Sequence, residues 1–158
     1  MLPSENVKLI IITPEQAEVV SEIAFPLFAE VYADTPKEIV DAFLQKTQTP
    51  ENIREQMRSG TVYMFIMYGG ERAGYLAYET DAEGMRLSKL YLLKGFRGKG
   101  IGAFCLGYVE DIAREKGIGT VRLEVNEINP QAREFYRSHG YSHAGRIDYM
   151  RIVMRKTL

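Results

Sequence analysis

The chain has 158 residues, of which 46% are hydrophobic and 26% charged, and its formal net charge is −1. These values are near the average for globular proteins and argue against disorder, and the chain lacks the basic excess of a nucleic-acid-binding protein. The single cysteine, Cys105, excludes an intrachain disulfide and argues against a cysteine-based metal site.

The first 60 residues are predicted to hold one strand and three helices. Residues 7–13 are apolar and β-branched, which indicates a strand; the run is too short to span a membrane and lacks a signal-peptide cleavage pattern. A helix is expected next, with Thr13 as N-cap and Pro14 at its first position. Two further helices are expected over residues 35–45 and 50–59. We therefore expect a cytoplasmic protein without a membrane partner.

The remainder predicts a mixed sheet. Strands over residues 61–68, 72–80 and 85–93 form a meander, and two more strands are expected within residues 141–156. Between them the pattern gives a helix at 100–116, a strand at 120–126 and a helix at 130–138. This order predicts one α/β (α+β) domain over residues 1–158, with a mostly antiparallel sheet flanked by helices and one central βαβ crossover.

A glycine-rich turn joins the strand ending near residue 93 to the following helix. Its glycines are Gly95, Gly98, Gly100 and Gly102. Glycine lets a ligand approach the main chain, and free amides at a helix N-terminus favour an anion. Arg97 and Lys99 add positive charge at the same place. The turn therefore predicts a binding site for a phosphate or pyrophosphate group.

The turn differs from two common phosphate-binding motifs. A Walker A loop needs Ser or Thr after Gly-Lys, whereas Gly100 follows Lys99. A dinucleotide-binding domain is the stronger alternative, because Gly98-x-Gly100-x-x-Ala103 fits its glycine pattern and Glu124 follows on the next strand. Against it, residues 94–97 separate the strand from Gly98, and the remaining chain is short for that fold.

The turn also carries a family pattern. Arg97-x-x-Gly100-x-Gly102 resembles the acyl-CoA signature of the GCN5-related N-acetyltransferases, the GNAT family. A second segment, residues 123–129 followed by Phe135-Tyr136, is similar to the family's second motif. The resemblance implies the GNAT fold, acetyl-CoA as co-substrate, no metal, and acetyl transfer to an amine by direct attack on the thioester. It also implies acceptor-side helices in residues 1–60, an acyl-CoA-binding core in 61–143 and a C-terminal strand in 144–158.

The resemblance also implies roles for individual residues toward the cofactor. Main-chain groups of Leu90, Tyr91 and Leu92 would pair with the pantetheine arm, and Asn129 would hydrogen-bond to it. Arg137 is placed where a basic side chain reaches the nucleotide phosphate. The pyrophosphate would lie on the turn formed by Arg97, Gly98, Lys99, Gly100, Ile101, Gly102 and Ala103.

For catalysis, Tyr136 matches the tyrosine that commonly protonates the departing thiolate. One branch of the family uses a carboxylate base at the position of Ser88, which cannot serve. A second branch, similar to the ribosomal-protein alanine N-acetyltransferases, uses a glutamate that Glu124 matches, and a water relay is the alternative. His139 and His143 are expected to be surface residues, and Cys105 to be a core residue.

The acceptor is the least defined part of the reaction. The segment from residue 25 to 58 is rich in acids and faintly resembles bacterial polyamine acetyltransferases, which favours a small amine such as a polyamine; a protein N-terminus stays possible. A non-catalytic acyl-CoA sensor is the main alternative function. A homodimer is compatible with the sequence, and no nucleic-acid partner is expected.

Overall fold

The computed structural model describes residues 6–127 and 129–158. Residues 1–5 and Ile128, which falls within the second motif, lie outside the described residues. Two short 3₁₀ segments, Pro14–Gln16 and Lys94–Phe96, accompany the main elements. The main elements, in chain order, are β1 (Val7–Ile11), α1 (Ala17–Val31), α2 (Lys37–Thr47), α3 (Pro50–Arg58), β2 (Val62–Tyr68), β3 (Glu71–Asp81), β4 (Gly84–Leu92), α4 (Ile101–Glu115), β5 (Thr120–Asn126), α5 (Pro130–Ser138), β6 (Ser142–Arg146) and β7 (Arg151–Thr157).

The predicted helix start after β1 is present, but it begins with a 3₁₀ turn. The Thr13 backbone N–H donates to Gln16 Oε1 at 2.9 Å, and Pro14 lies in the first turn. The regular helix α1 begins only at Ala17. β1 ends two residues before the predicted limit, because the chain turns into this cap at Thr13.

The seven strands form one sheet in the order β1-β2-β3-β4-β5-β7-β6. Neighbouring strands are antiparallel except β4 and β5, which run parallel and are joined by α4. A parallel pair needs such a crossover, and the glycine-rich turn lies at its entry. The structure thus confirms the predicted mixed, mostly antiparallel sheet with one central βαβ unit.

Helices cover the two faces of the sheet with separate apolar clusters. On one face α4 packs through residues such as Ile101, Cys105 and Val109, and α5 adds Phe135 and Tyr136. On the other face α1, α2 and α3 cover the aromatic side chains of β2 and β3. Each set of helices buries one face of the sheet, and the two apolar clusters together stabilise it.

A β-bulge in β4 changes which residues point to each face. Ala77 of β3 pairs with Lys89 and Tyr78 pairs with Leu87, so Ser88 is the extra residue. Before the bulge, Leu87 belongs to the α4 cluster; after it, Leu90 packs there. Because side chains alternate along a strand, the extra residue turns Lys89 and Tyr91 toward α1 and α2.

Candidate active site

A cleft opens where β4 and β5 separate. The two strands pair only from Met85 to Leu87 and from Val121 to Leu123. Beyond these residues they diverge around a cavity of about 830 Å³. Residues 89–92, which follow the bulge, keep their pairing with β3 on one side. Their other edge faces the cleft, where an extended ligand can pair with main-chain groups.

Most of the residues selected from the sequence line this cleft. β4 contributes one wall, β5 the other, and the starts of α4 and α5 close one end. The predicted residues in the lining are Leu90, Tyr91, Leu92, Arg97, Gly98, Gly100, Ile101, Gly102, Ala103, Glu124, Asn129 and Tyr136. Lys99 and Arg137 are exposed and do not line the cleft, and Arg137 pairs with Glu134 at 2.6 Å.

The glycine-rich turn presents the first backbone amides of α4 to the cleft. Gly98 and Gly100 have φ of 75° and 83°, a left-handed conformation that favours glycine. Gly100 is the N-cap of α4, so the amides of the next residues lack partners within the helix. Such a helix start attracts anions. Asn129 is the N-cap of α5. Its side-chain Oδ1 accepts a hydrogen bond from the Ala132 amide at 3.1 Å.

The motif arginine is tied to helix α1. The Arg97 guanidinium donates to both oxygens of Glu30, at 2.6 and 2.9 Å, and its Nε donates to the Leu92 carbonyl at 3.0 Å. The hydrogen bond from Arg97 lowers the pKa of Glu30. In this arrangement Arg97 joins the turn to α1, a contact that sequence reasoning missed because the partners are 67 residues apart.

Tyr136 projects from α5 into the cleft. Its ring packs edge-on against Phe135 and Tyr141, at 5.2 and 5.9 Å between centroids. Burial raises the pKa of the phenol, so it stays protonated near neutral pH. Within the described ranges no hydrogen bond occupies its hydroxyl. Tyr136 thus places a half-buried, protonated phenol beside the cleft.

A second pair of phenols was not foreseen from the sequence. The hydroxyls of Tyr32, the C-cap of α1, and Tyr91 of β4 lie 2.7 Å apart, and both residues line the cleft. Burial raises the pKa of each. The Tyr91 side chain therefore helps to fix α1 to β4, in addition to the main-chain role expected for it.

Glu124 lies on the β5 wall between two guanidinium groups. Arg86 Nε donates to its Oε2 at 3.2 Å, and Arg151 donates to its Oε1 at 2.9 Å. Arg86 also pairs with Glu79. Each carboxylate oxygen thus accepts a hydrogen bond from a guanidinium group, and each keeps a second lone pair for another donor.

The other residues considered from the sequence are Ser88, the two histidines and Cys105. Ser88 lines the cleft at the bulge, and its hydroxyl donates to the Ala77 carbonyl at 3.2 Å. His139 Nδ1 lies 2.7 Å from the Phe135 carbonyl, and His143 is exposed on β6. Cys105 is buried in the α4 cluster, and burial raises the pKa of its thiol to about 12.

Two kinds of feature are absent from residues 6–127 and 129–158. No helix there combines the length and apolar character needed to cross a membrane. No group of three or more His, Cys, Asp or Glu side chains in these ranges is arranged to hold a metal ion.

The cleft thus has a main-chain edge along one wall and a glycine-rich helix start at one end. Comparison with known proteins identifies the class: the model of the acetyltransferase (GNAT) family matches residues 22–141, more than half of the chain, and the chain belongs to this family. An N-acetyltransferase encoded in the pepI 3′ region of Lactobacillus delbrueckii subsp. lactis is 28% identical over 145 residues, covering 85% of this chain and 84% of the relative.

A second relative and a solved structure extend the comparison. The streptothricin acetyltransferase of Streptomyces lavendulae is 37% identical over 85 residues, which cover 51% of this chain and 45% of the relative. The PaiA N-acetyltransferase of Thermoplasma acidophilum, solved in complex with coenzyme A, superposes with a TM-score of 0.83 at 22% identity. The match covers 96% of this chain and 99% of that one, so the whole described fold is of the GNAT type.

Proposed function

We propose that the protein transfers an acetyl group from acetyl-CoA to the amine of a small-molecule acceptor. The observation that carries this proposal is the cleft between β4 and β5, which has a main-chain edge on one wall and a glycine-rich helix start at one end. Family membership supports it, and the similar PaiA fold was solved with coenzyme A.

The donor would lie along this cleft. The pantetheine arm pairs with the main chain of Leu90, Tyr91 and Leu92, and Asn129 binds it from the α5 side. The pyrophosphate lies on the amides of residues 98–103, with the side chain of Lys99 at the exposed side of the turn. This arrangement directs the thioester toward the point where β4 and β5 separate.

Acetyl transfer needs a neutral amine and a proton for the departing thiolate. Tyr136 supplies that proton, because its phenol is protonated and borders the cleft. Glu124 and a water relay are the two routes that the family resemblance suggests for the proton of the amine. Because Arg86 and Arg151 both donate to Glu124, we favour the water relay over Glu124.

The acceptor would enter from the side of the N-terminal helices. Residues 1–60 form the acceptor side in this proposal, residues 61–143 the acyl-CoA-binding core and residues 144–158 the C-terminal strand. Glu30 is paired with Arg97, whereas the exposed carboxylate of Asp34 lines the cleft beyond the end of α1 and favours a cationic amine such as a polyamine. A protein N-terminus is the other acceptor class, and streptothricin belongs in any panel because one relative is named for it.

The test is an acceptor screen in which a thiol-reactive dye follows coenzyme A release from acetyl-CoA. Polyamines, amino acids, streptothricin and N-terminal peptides form the panel, and calorimetry with coenzyme A, acetyl-CoA and NAD measures binding. We expect coenzyme A binding and at least one amine that accelerates thiol release. Binding of coenzyme A without turnover on any amine would favour an acyl-CoA sensor. Binding of NAD alone would restore the dinucleotide alternative.

A further inference from the structure

Lys89 is a buried lysine in the wall of the cleft. It follows the bulge at Ser88, which turns its side chain toward α1 and α2, and only 8% of its surface is exposed. It is one of the residues that line the cavity between β4 and β5. The sequence did not indicate this position, because lysine side chains on a regular strand usually extend their amines into solvent.

The Lys89 ammonium has no carboxylate partner within ion-pair distance in the described parts of the chain. Its Nζ donates to the Ser88 carbonyl at 3.2 Å and lies 5.6 Å from the centre of the Phe43 ring of α2. Neither contact carries a negative charge. A buried lysine in such surroundings favours its neutral form.

The charged groups around Lys89 come from four strands. Glu79 of β3 and Glu124 of β5 raise its pKa, whereas Arg86 of β4 and Arg151 of β7 lower it. Burial outweighs all of them and lowers the pKa to about 8. At pH 7.5 roughly a quarter of Lys89 is then neutral, compared with about one part in a thousand for an ordinary lysine.

The other ionisable groups of the cleft are poorly suited to accept a proton. They are Glu30, Tyr32, Asp34, Tyr91, Arg97, Glu124 and Tyr136. Of the three carboxylates, two are held by guanidinium groups, and the third, Asp34, is exposed to solvent. Burial keeps the three phenols protonated. Arg97 is always charged. Lys89 is therefore the buried side chain of this lining that burial makes able to exchange a proton near pH 8.

We propose that Lys89 accepts the proton that the acceptor ammonium must lose before it attacks acetyl-CoA. This inference rests on the proposed function and names a further catalytic residue for it. Lys89 Nζ takes one proton from the ammonium and later releases it to solvent. The neutral amine forms the N–C bond, and the C–S bond breaks. The thiolate takes the Tyr136 proton, and the phenolate recovers the second proton that the nitrogen loses as the amide forms.

The match of basicity favours an amine over a carboxylate in this step. An alkyl ammonium has a pKa near 10.5, which exceeds that of Lys89 by about 2.5 and that of an ordinary carboxyl group, near 4, by about 6.5; proton transfer to Lys89 is therefore the less unfavourable of the two. The charges of Arg86 and Arg151 disfavour protonated Lys89 and those of Glu124 and Glu79 favour it. Glu124 therefore acts in this proposal through its effect on Lys89 and not as the base itself.

The first experiment measures Lys89 without any acceptor. Protein labelled with ¹³C-lysine is titrated by NMR, and Lys89→Arg identifies the resonance that belongs to Lys89. We expect that resonance to titrate near pH 8, below the range of an ordinary lysine. Titration of Lys89 together with the surface lysines would overturn the inference, because the group would then be protonated at working pH.

The second experiment compares turnover of Lys89→Met, Lys89→Arg and Glu124→Gln on the best acceptor, with the exposed Lys116→Met as control. We expect both Lys89 variants to lose about a hundredfold or more at pH 7.5, with partial recovery as the pH approaches that of the free amine. Coenzyme A affinity should stay near wild type. Retained turnover in Lys89→Arg would show that a fixed positive charge suffices, and would overturn the inference.

The two proposals fail in different ways. If the wild-type protein acetylates no amine, the proposed function fails, and the NMR titration still reports on Lys89. If Glu124→Gln loses turnover while Lys89→Met retains it, the acetyltransferase proposal stands and Glu124 is the base instead of Lys89.

Discussion

Replacing Lys89 by methionine should stabilise the protein near neutral pH. Methionine has a similar length and no charge, so it removes the penalty for burying an ammonium. The pKa of Lys89 falls from 10.5 to about 8 in the folded state, and at 1.36 kcal/mol per unit this corresponds to about 3 kcal/mol. Lost contacts with the Ser88 carbonyl and the Phe43 ring offset about 1 to 2 kcal/mol of that gain.

The sign of the effect depends on pH. Between pH 8 and 10.5 the unfolded chain keeps the Lys89 proton while the folded protein releases it, so the wild-type free energy of unfolding rises with pH. Below pH 8 the full penalty is present. Lys89→Met should therefore be more stable than wild type by about 1 to 2 kcal/mol at pH 7, and should lose this advantage by pH 10.

Urea unfolding at pH 7 and pH 10 tests this expectation. Other titrating groups affect both proteins alike and cancel in the difference, and Lys116→Met, at an exposed position, should show no pH-dependent difference. Two results would contradict a lowered pKa of Lys89: a Lys89→Met variant that is less stable than wild type at pH 7, or a stability difference that is the same at both pH values. A stabilised variant without activity would also be typical of a functional site.

Three further substitutions test the role of Tyr136, the glycine-rich turn and the close contact between β3 and β4. Tyr136→Phe should lower turnover about a hundredfold with unchanged coenzyme A affinity, as steady-state kinetics and calorimetry would show; wild-type turnover when chemistry is rate-limiting would reduce Tyr136 to a packing residue. Gly100→Val should weaken coenzyme A binding at least tenfold, because its φ of 83° disfavours a β-branched residue and a side chain crowds the turn; equal affinity in calorimetry would contradict the phosphate site. Gly74→Ala should destabilise the fold by about 1 to 3 kcal/mol in urea unfolding, since a Cβ there would meet the Tyr91 carbonyl oxygen at 2.0 Å. Neutral behaviour of that variant would show that β3 and β4 can separate at this point.

Local signals in the sequence predicted most of the fold. The strand over Thr120–Asn126 and the helix over Pro130–Ser138 have the predicted limits, because alternation, proline and a following glycine act within a few residues. The turn with Gly98 and Gly100 was recognisable for the same reason. Both positions adopt a left-handed conformation that the chain achieves readily only with glycine.

The family motifs also selected residues that tertiary structure then brings together. Leu90, Gly100 and Tyr136 belong to three different elements, yet all line one cleft. Spacing along the chain was informative because βαβ crossovers are almost always right-handed. This handedness fixes the position of the turn before α4 relative to β4 and β5. The roles of these residues in binding and catalysis stay predictions until the variants are measured.

The contacts that tune the site were decided only by the tertiary structure. The pair between Arg97 and Glu30 and the pair between Tyr32 and Tyr91 join residues 67 and 59 positions apart, and no local pattern encodes them. The orientation of Lys89 depends on one extra residue at Ser88, which reverses the alternation of β4. The sequence by itself therefore determined the elements and the glycine-rich turn, since these follow from short-range preferences. Whether Lys89 is a solvated cation or a buried base depends on the bulge and on the helices packed over it, and only the folded chain sets its surroundings.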